Sequence, residues 1–256
     1  MSLKFPISLA GKRGGGFPQP LHWWDLDDDE VWSNDGSSAS AFSLTEGSAN
    51  PTVVVGGGPN GQDIADVSAR NKYLLGADGA YDSSNTSAIS YGCWFNKLYQ
   101  GQGVLMAWHL ATAGGTAPSA GPRLFDIFTD GGTPNYGLYA RTYSVDGHKI
   151  ENKILSQFPN DGTWSHVFVT LDANTGEQKL YIDGSLYNTI TNASFTTLNN
   201  VDTIRFAAGT MPNSLGTTGG FHRGYLGMMG VWDTLLDADQ VAYLYNSGLG
   251  RQYADL

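Results

Sequence analysis

Charged side chains are scarce in this sequence. Asp, Glu, Lys and Arg make up 15% of its 256 residues, whereas about a quarter is usual in soluble domains. Acidic residues outnumber basic ones by 24 to 14, which gives a formal net charge of -10. Because phosphate backbones and anionic lipid headgroups repel a surface of this sign, we expect neither nucleic-acid binding nor membrane insertion.

Cysteines and long apolar runs are also missing. Cys93 is the only cysteine in the sequence, so it can form neither an internal disulfide nor, by itself, a thiolate metal site. Its position between Gly92 and Trp94 favours a buried, unreactive thiol. No stretch approaches the ~20 apolar residues of a membrane span. Near the N-terminus the basic residues follow the short apolar run, and Pro6 breaks that run, so we expect no secretory signal.

Glycine and aromatic residues are abundant, with 34 glycines and 12% Phe, Trp and Tyr. Short apolar or alternating runs recur about every ten residues between turn residues, as in an all-β domain. In the run 166–171, Val167, Val169 and Leu171 point one way and the other side is also partly apolar. This pattern predicts a two-sheet antiparallel sandwich. The expected strands lie at 52–55, 91–95, 104–108, 123–128, 136–143, 166–171, 179–182, 203–207 and 225–232.

Two tight turns and one helix are predicted from local signals. The pairs Asp146-Gly147 and Asp183-Gly184 favour type I′ hairpin turns, in which both central residues have positive φ angles. Asp237 is a suitable N-cap with Gln240 three residues later, and Gly248 can take the left-handed position at the C-terminus. We therefore expect one helix of about two turns near the end of the chain.

Residues 1–20 differ in composition from the rest of the chain. They contain Lys4, Lys12 and Arg13, no acidic residue, and the run Gly14–Gly16. Such a segment is either a flexible leader that cannot bury enough apolar surface, or an arm that docks on a neighbouring subunit. We expect a basic arm over residues 1–20 and a single domain over 21–256.

Four stretches carry a resemblance to a known family. They are LHWWDLDDD from Leu21, AISYGCWFNKL (88–98), DGTWSHVFVTLDANTGEQKLYIDGSL (161–186) and FHRGYLGMMGVWDTLLDADQVAYLYNSGLG (221–250). In this order they resemble the laminin-G-like, concanavalin A-like lectin/glucanase jelly rolls. The resemblance implies an antiparallel jelly roll of roughly twelve to fourteen strands with one short helix. Where that family commonly has an acidic pair in the closing strand, this chain has Gly227 and Met228.

Carbohydrate binding uses aromatic rings against the apolar face of a sugar ring and polar groups on its hydroxyls. The long polar loop 209–224 is the most suitable recognition edge, because long loops at a sandwich rim often carry function. Most tryptophans of a sandwich lie in its core, which is the alternative position for each Trp. The candidate carbohydrate-binding residues are Trp108, Tyr136, Tyr139, Tyr143, Asn213, Phe221, His222 and Arg223, with Trp24 and Trp32 as further aromatic platforms.

A cluster of acidic residues follows the first expected strand. Asp25, Asp27 and Asp35 supply the hard oxygen ligands that calcium prefers. Their spacing is not that of the twelve-residue calcium loop, so a solvated acidic loop is the alternative. We expect no other cofactor, because the five histidines lack the close spacing of a metal site.

The spacing of the carboxylates does not predict catalysis. Glycoside hydrolysis needs two carboxyl groups about 5 to 9 Å apart, and none of the four glutamates has a partner at suitable strand spacing. The sequence also lacks a Gly-x-Ser-x-Gly nucleophile motif. The alternative is a glycoside hydrolase or lyase whose carboxylates converge from distant strands, such as Asp126 and Asp130 with Glu151.

The sequence thus predicts a non-catalytic binding, adhesion or structural module that contacts a glycan or a host-surface polysaccharide. A lectin-like fold without a secretory signal favours a bacteriophage surface protein, a tail or capsid decoration that is made in the cytosol and carried on the virion. Residues 1–20 would then contact other virion subunits. An extracellular location is the alternative, and a purely structural oligomer subunit is the alternative function.

Overall fold

The computed structural model describes twelve segments of the chain, among which no helix is long and apolar enough to cross a membrane. These segments are residues 17–26, 35–37, 44–46, 51–69, 72–78, 87–98, 103–110, 123–130, 137–155, 162–199, 204–210 and 221–256.

Strands dominate the described part of the chain. They are β1 (His22–Trp24), β2 (Thr45–Glu46), β3 (Thr52–Val54), β4 (Ile64–Asp66), β5 (Leu74–Asp78), β6 (Ala88–Lys97), β7 (Gly103–Leu110), β8 (Arg123–Asp130), β9 (Gly137–Tyr143), β10 (Lys149–Leu155), β11 (Trp164–Asp172), β12 (Glu177–Ile182), β13 (Ser185–Thr191), β14 (Ile204–Ala208) and β15 (Gly224–Trp232). One helix, α1 (Ala238–Tyr245), and two short 3₁₀ turns, Asn246–Gly248 and Tyr253–Asp255, follow. Each predicted strand range overlaps an observed strand, whereas β1, β2, β4, β5, β10 and β13 lie outside the predicted ranges.

The strands form two antiparallel sheets, which confirms the predicted sandwich. One sheet has the order β13-β12-β11-β6-β15-β4-β3, with β1 also paired to β15. The other has the order β10-β9-β8-β7-β14-β5-β2. Every pairing between named strands in the described segments is antiparallel.

The main core lies between the two sheets and is rich in stacked rings. Tyr91 of β6 stacks on Phe125 of β8 with ring centres 4.1 Å apart. Trp24 of β1 stacks on Phe206 of β14 at 4.4 Å. Cys93 is buried in the same core, and burial raises the pKa of its thiol, as expected for an unreactive cysteine.

A second apolar cluster covers the other side of the eight-stranded sheet. The alternation of β11 explains it, because Val167 and Val169 enter the main core while Phe168 points to the opposite side. There Phe168 packs with Trp232 and with Val241 and Leu244 of α1. The short helix is therefore held by its apolar face on the sheet as well as by its own hydrogen bonds.

The predicted start of α1 is confirmed, and its predicted end is wrong. Asp237 accepts a hydrogen bond from the Gln240 backbone, and the Gln240 side chain accepts one from the Asp237 backbone. The left-handed C-cap is Asn246 (φ 50°) and not Gly248. Asparagine tolerates this conformation, so the helix ends two residues before the glycine.

The arm predicted over residues 1–20 extends too far into the domain. Phe17 packs edge-on against Trp232 with ring centres 6.4 Å apart, and the Trp232 indole donates to the Pro18 carbonyl at 2.9 Å. Residues 17–20 therefore belong to the packed domain. The rest of the predicted arm, residues 1–16, lies outside the described segments.

One of the two predicted type I′ turns is confirmed. Asp183 and Gly184 have φ angles of 49° and 74°. At the other turn only Gly147 is left-handed, with φ 79°. Its N–H donates to the Ser144 carbonyl and Ser144 N–H donates to His148, which describes a wider turn ending in one left-handed glycine.

Candidate functional site

The seven-stranded sheet presents an outer face whose residues are set by the alternation of β9. Leu138 and Ala140 belong to the main core, and Thr142 points inward, where it accepts a hydrogen bond from Gln178 of the opposite sheet at 2.8 Å. The intervening Tyr139, Arg141 and Tyr143 therefore point outward and are half-buried.

Strand β10 continues this face. Ile150 and Ile154 lie in the main core, so Lys149, Glu151 and Lys153 point outward. The register pairs Glu151 with Arg141, Lys153 with Tyr139 and Lys149 with Tyr143. We call the six outward residues the β9–β10 face: Tyr139, Arg141, Tyr143, Lys149, Glu151 and Lys153.

Arg141 lies at the centre of the β9–β10 face and is held on several sides. Its Nε donates to Glu151 Oε2 at 2.7 Å. Its guanidinium lies 4.2 Å from the ring centre of Phe128 and 5.7 Å from that of Tyr139. Burial alone would lower the pKa of Arg141, but Asp126, Tyr143 and Glu151 outweigh it and raise the pKa, so the group keeps its charge.

Glu151 is the ionised partner of two basic residues. Lys149 Nζ donates to Glu151 Oε2 at 3.0 Å, next to the bond from Arg141. Burial would raise the pKa of Glu151, but these hydrogen bonds and charges outweigh burial and lower it. The carboxylate is therefore unprotonated at neutral pH.

Tyr143 belongs to a hydrogen-bonded chain at the edge of the face. Its hydroxyl accepts from Arg123 Nη1 and donates to Asp126 Oδ2, both at 3.1 Å. Burial, helped by the charge of Asp126, raises the pKa of Tyr143 to about 12. The same Asp126 oxygen lies 3.0 Å from His109 Nε2. Burial lowers the pKa of His109 against the effect of Asp126, so the neutral ring donates through Nε2–H.

Exposure increases from β7 towards β10 along this sheet. His109 and Asp126 are fully buried, and Phe128 is 4% exposed. The Arg141 and Glu151 side chains are 22% and 24% exposed, and Lys149 reaches 49%. The β9–β10 face is therefore accessible to solvent, whereas His109 and Asp126 on the neighbouring strands are buried.

Two of the predicted binding residues come together on this face. Tyr139 and Tyr143 lie four positions apart on β9, on either side of Arg141, and Tyr139 stacks on Phe128 with ring centres 4.9 Å apart. Tyr136, also predicted, lies outside the described segments, as do Asn213 and Trp32.

The predicted tryptophan platforms were wrong wherever the structure describes them. Trp108 and Trp24 are fully buried. The register sets Trp108 opposite Phe125 and Phe206, all in the inward row, so its ring fills the core between the sheets. Neither indole offers a face to a sugar.

The end of the predicted recognition loop is largely buried. Phe221 is 8% exposed and forms a bridge with Val104, and His222 is 1% exposed. Burial lowers the pKa of His222 to about 4. Both side chains therefore support the fold, contrary to the predicted binding role, whereas Arg223 is exposed and its carbonyl accepts from Leu98 N–H.

Of the three predicted calcium ligands, the structure describes two. Asp25 Oδ1 accepts a hydrogen bond from the Trp23 indole at 2.7 Å, and the Asp35 backbone N–H donates to the Trp23 carbonyl. Asp27 lies outside the described segments. Among the described residues no group of three or more His, Cys, Asp or Glu is arranged to hold a metal ion. Calcium at this cluster stays a prediction, which melting curves in calcium and in a chelator test.

The carboxylates of the enzymatic alternative share one sheet face. Asp126 of β8 pairs with Arg141 of β9, and Arg141 pairs with Glu151 of β10. Asp130 lies further along β8. A hydrolase needs one protonated carboxyl group as its acid. Glu151 has a lowered pKa and two basic partners, which does not suit it for the role of that acid, whereas Asp126 is fully buried and bonded to His109 and Tyr143.

Sequence reasoning missed the two arginines that organise the site, Arg123 and Arg141. The signal was present as Tyr-x-Arg-x-Tyr on β9, which places both rings and the guanidinium on one face of a strand. Strand β10 was missed because Asn152 interrupts its inward apolar row. That asparagine accepts a bond from Asn188 of β13 at 2.9 Å, a contact between distant strands.

Several solved structures with the same fold are binding domains of botulinum neurotoxins, and another is that of Paraclostridial Mosquitocidal Protein 1. The receptor-binding domain of botulinum neurotoxin C/D mosaic serotype matches with a TM-score of 0.62, 9% identity, and coverage of 89% of this chain and 51% of that chain. The binding domain of botulinum neurotoxin serotype G matches with a TM-score of 0.61 and 13% identity, and the match covers 88% of this chain and 50% of that chain. The binding domain of Paraclostridial Mosquitocidal Protein 1 matches with a TM-score of 0.60 and 13% identity, and the match covers 90% of this chain and 52% of that chain. This chain therefore spans about half the length of these structures.

The sequence itself matches a family profile. No curated protein matches the chain. The laminin-G profile described as "Concanavalin A-like lectin/glucanases superfamily" matches residues 68–242. Because this match covers well over half of the sequence, and the two antiparallel sheets agree with it, the chain belongs to the concanavalin A-like lectin/glucanases superfamily.

Proposed function

We propose that the protein is a non-catalytic carbohydrate-binding module and that the saccharide lies on the β9–β10 face. The observation that carries this function is the pair of half-buried rings, Tyr139 and Tyr143, on either side of the fixed Arg141 guanidinium. An aromatic ring covers the apolar side of a pyranose, and neighbouring polar groups bind its hydroxyls.

The side chains of this face are held in place before any ligand arrives. Phe128 stacks under Tyr139, and the Tyr143 hydroxyl is bonded to both Arg123 and Asp126. A fixed side chain loses little conformational entropy on binding, so more of the contact energy is available for affinity.

The charge state of the carboxylates supports binding over hydrolysis. Glu151 is ionised and engaged by Lys149 and Arg141. Tyr143, with its pKa raised to about 12, is a poor base at neutral pH. Among the described residues this face thus offers hydrogen bonds and rings, and neither Glu151 nor Tyr143 is suited to act as the acid or base of bond cleavage.

Some proteins of the same fold are recorded with sugars. The binding domain of botulinum neurotoxin DC is in complex with SialylT, and that of serotype D with N-acetylneuraminic acid. At 10% identity these likenesses concern the fold. They make a saccharide a reasonable first ligand class to test.

Replacement of Tyr139 by Ala tests the proposed function. We expect the affinity for a bound polysaccharide to fall by about tenfold or more, because one ring of the platform is removed. A polysaccharide panel in affinity gels finds the ligand, and calorimetry then gives the Kd. Tyr187→Ala is the matched control, since Tyr187 is a 50% exposed tyrosine on β13 of the other sheet.

Two results would contradict the proposed function. Equal losses for Tyr139→Ala and Tyr187→Ala would place the saccharide elsewhere. Steady release of reducing ends or of unsaturated products from the panel would favour the glycoside hydrolase or lyase alternative.

We also propose a location on a virion surface, supported by the sequence pattern alone, with an extracellular location as the alternative. Mass spectrometry of purified particles tests the location, and absence of the protein from them would contradict it. Light scattering before and after deletion of residues 1–20 tests contacts with other virion subunits. Loss of assembly in a protein that binds no sugar would favour a purely structural oligomer subunit.

A further inference from the structure

We infer, resting on the carbohydrate-binding function proposed above, that the saccharide carries carboxylate groups and that Arg141 binds them. The ligand class is an acidic polysaccharide built from uronic or similar acidic sugars.

The guanidinium of Arg141 has donors that no described residue occupies. Its Nε is bonded to Glu151, while Nη1 and Nη2 donate to no residue among those that the structure describes. The side chain is 22% exposed. A guanidinium offers five N–H groups in a planar fork, so most of this fork is left for a ligand.

The fork is also fixed in orientation. Phe128 and Tyr139 both contact the Arg141 guanidinium through their ring faces, and Glu151 holds its Nε. A planar guanidinium held in this way matches the two oxygens of a carboxylate, and such paired bonds are stronger than bonds to neutral hydroxyls. The rings of Tyr139 and Tyr143 flank the guanidinium along β9, about 13 Å apart at ~3.3 Å per strand residue, so they would contact different sugar units of one chain.

The charge around Arg141 favours an anionic ligand. Arg123, Arg141, Lys149 and Lys153 are the basic residues on or beside the β9–β10 face. The acidic residues on the same side are Asp126, Asp130 and Glu151. The balance here is positive on a chain whose formal net charge is -10. The described residues of this face therefore attract an acidic polymer, against the net negative charge of the whole chain.

Glu151 makes the inference testable in two directions. Its carboxylate already accepts hydrogen bonds from Arg141 Nε and Lys149 Nζ, so it competes with the carboxylate of a ligand for these donors. Removal of the Arg141 charge should weaken binding of an acidic saccharide, while removal of the Glu151 charge should strengthen it. A role of Glu151 limited to folding would give no gain in affinity.

The experiment uses matched polymers that differ only at the carboxyl group. Polygalacturonate is compared with its methyl ester, and alginate and hyaluronate with their carboxyl-reduced forms, by affinity gel and calorimetry. We expect the unmodified protein to bind an acidic form about tenfold more tightly at low salt, and the difference to shrink as NaCl is raised. Arg141→Gln should abolish this preference, Arg141→Lys should retain part of it, and Glu151→Gln should increase it.

The control variants remove one positive or one negative charge from the eight-stranded sheet, as Arg141→Gln and Glu151→Gln do on the seven-stranded sheet. Lys179 and Glu177 form an ion pair at 2.9 Å on β12, so Lys179→Gln and Glu177→Gln change the net charge without touching the β9–β10 face. Melting curves of all variants show which of them are folded. Arg141→Lys keeps the inference testable if Arg141→Gln does not fold.

Two outcomes separate this inference from the proposed function. Equal binding of the acidic and modified polymers, still lost in Tyr139→Ala, would overturn the acidic ligand and leave the carbohydrate-binding function in place. Undiminished preference in Arg141→Gln would likewise overturn it. If the unmodified protein binds no saccharide of either kind, the proposed function fails as well.

Discussion

Trp108 and Tyr139 show how one position along a strand decides the role of an aromatic side chain. Both lie in strands of the seven-stranded sheet. Trp108 falls in the inward row with ring neighbours Phe125 and Phe206, at 6.1 and 5.5 Å between ring centres. Tyr139 falls in the outward row beside Arg141. Since side chains alternate along a strand, a shift of one position would exchange core and surface.

Trp108→Ala should therefore destabilise the protein without changing saccharide affinity. Removal of a fully buried indole leaves a cavity, and we expect the free energy of unfolding to fall by about 3–5 kcal/mol. Urea denaturation measures this, with the smaller loss expected for Trp108→Phe as the control. A wild-type stability together with lost binding would restore Trp108 as a sugar platform.

Helix α1 has eight residues, too few to be stable on its own. Its capping box closes the first turn, and Val241 and Leu244 pack on the cluster formed by Phe168 and Trp232. The helix thus shields apolar side chains of the eight-stranded sheet that would otherwise face solvent.

Asp237→Ala should weaken the packing of helix α1 on the eight-stranded sheet. The substitution removes the side chain that accepts the Gln240 N–H at 2.8 Å, so we expect a loss of about 1 kcal/mol in the free energy of unfolding. Asp239→Ala is the control, because Asp239 lies in the first turn but is not the cap. Equal losses for the two variants would mean that charge, and not the capping bond, stabilises the helix.

Three buried histidines predict that the stability of the whole protein falls in acid. Burial lowers the pKa of His22 and His166 to about 3 and that of His222 to about 4. An unfolded histidine has a pKa near 6.5. Between these values the unfolded chain binds protons that the folded chain does not, so stability is highest above pH 6.5 and falls as the pH is lowered.

We expect the free energy of unfolding to fall by about 1.4 kcal/mol per pH unit for each of these histidines between about pH 6 and pH 4. Urea denaturation at several pH values measures the slope. His166→Phe places another ring beside Trp94 and Phe168. It should reduce the slope of stability against pH by about 1.4 kcal/mol per pH unit, which is the contribution of one histidine. His148→Gln is the control at an exposed position, and an unchanged slope in His166→Phe would contradict the assignment.

The sequence by itself determined the class of fold. Alternation in β11, the left-handed pair Asp183 and Gly184, and the N-cap Asp237 are local features, and each acts within a few residues of the chain. Such features predict strands, turns and helix starts directly, because they depend on the backbone and its nearest neighbours.

Only the tertiary structure decided which side chains share a surface. Arg141 meets Glu151 across a strand pair, but Arg123, Asp126 and His109 join Tyr143 through the register of three strands. The aromatic and charged residues are visible in the sequence. Their pattern does not show, however, that the Trp108 side chain points into the core and the Tyr139 side chain points outward. Register depends on contacts between residues far apart in the chain, and for this reason the β9–β10 face could be recognised only in the folded structure.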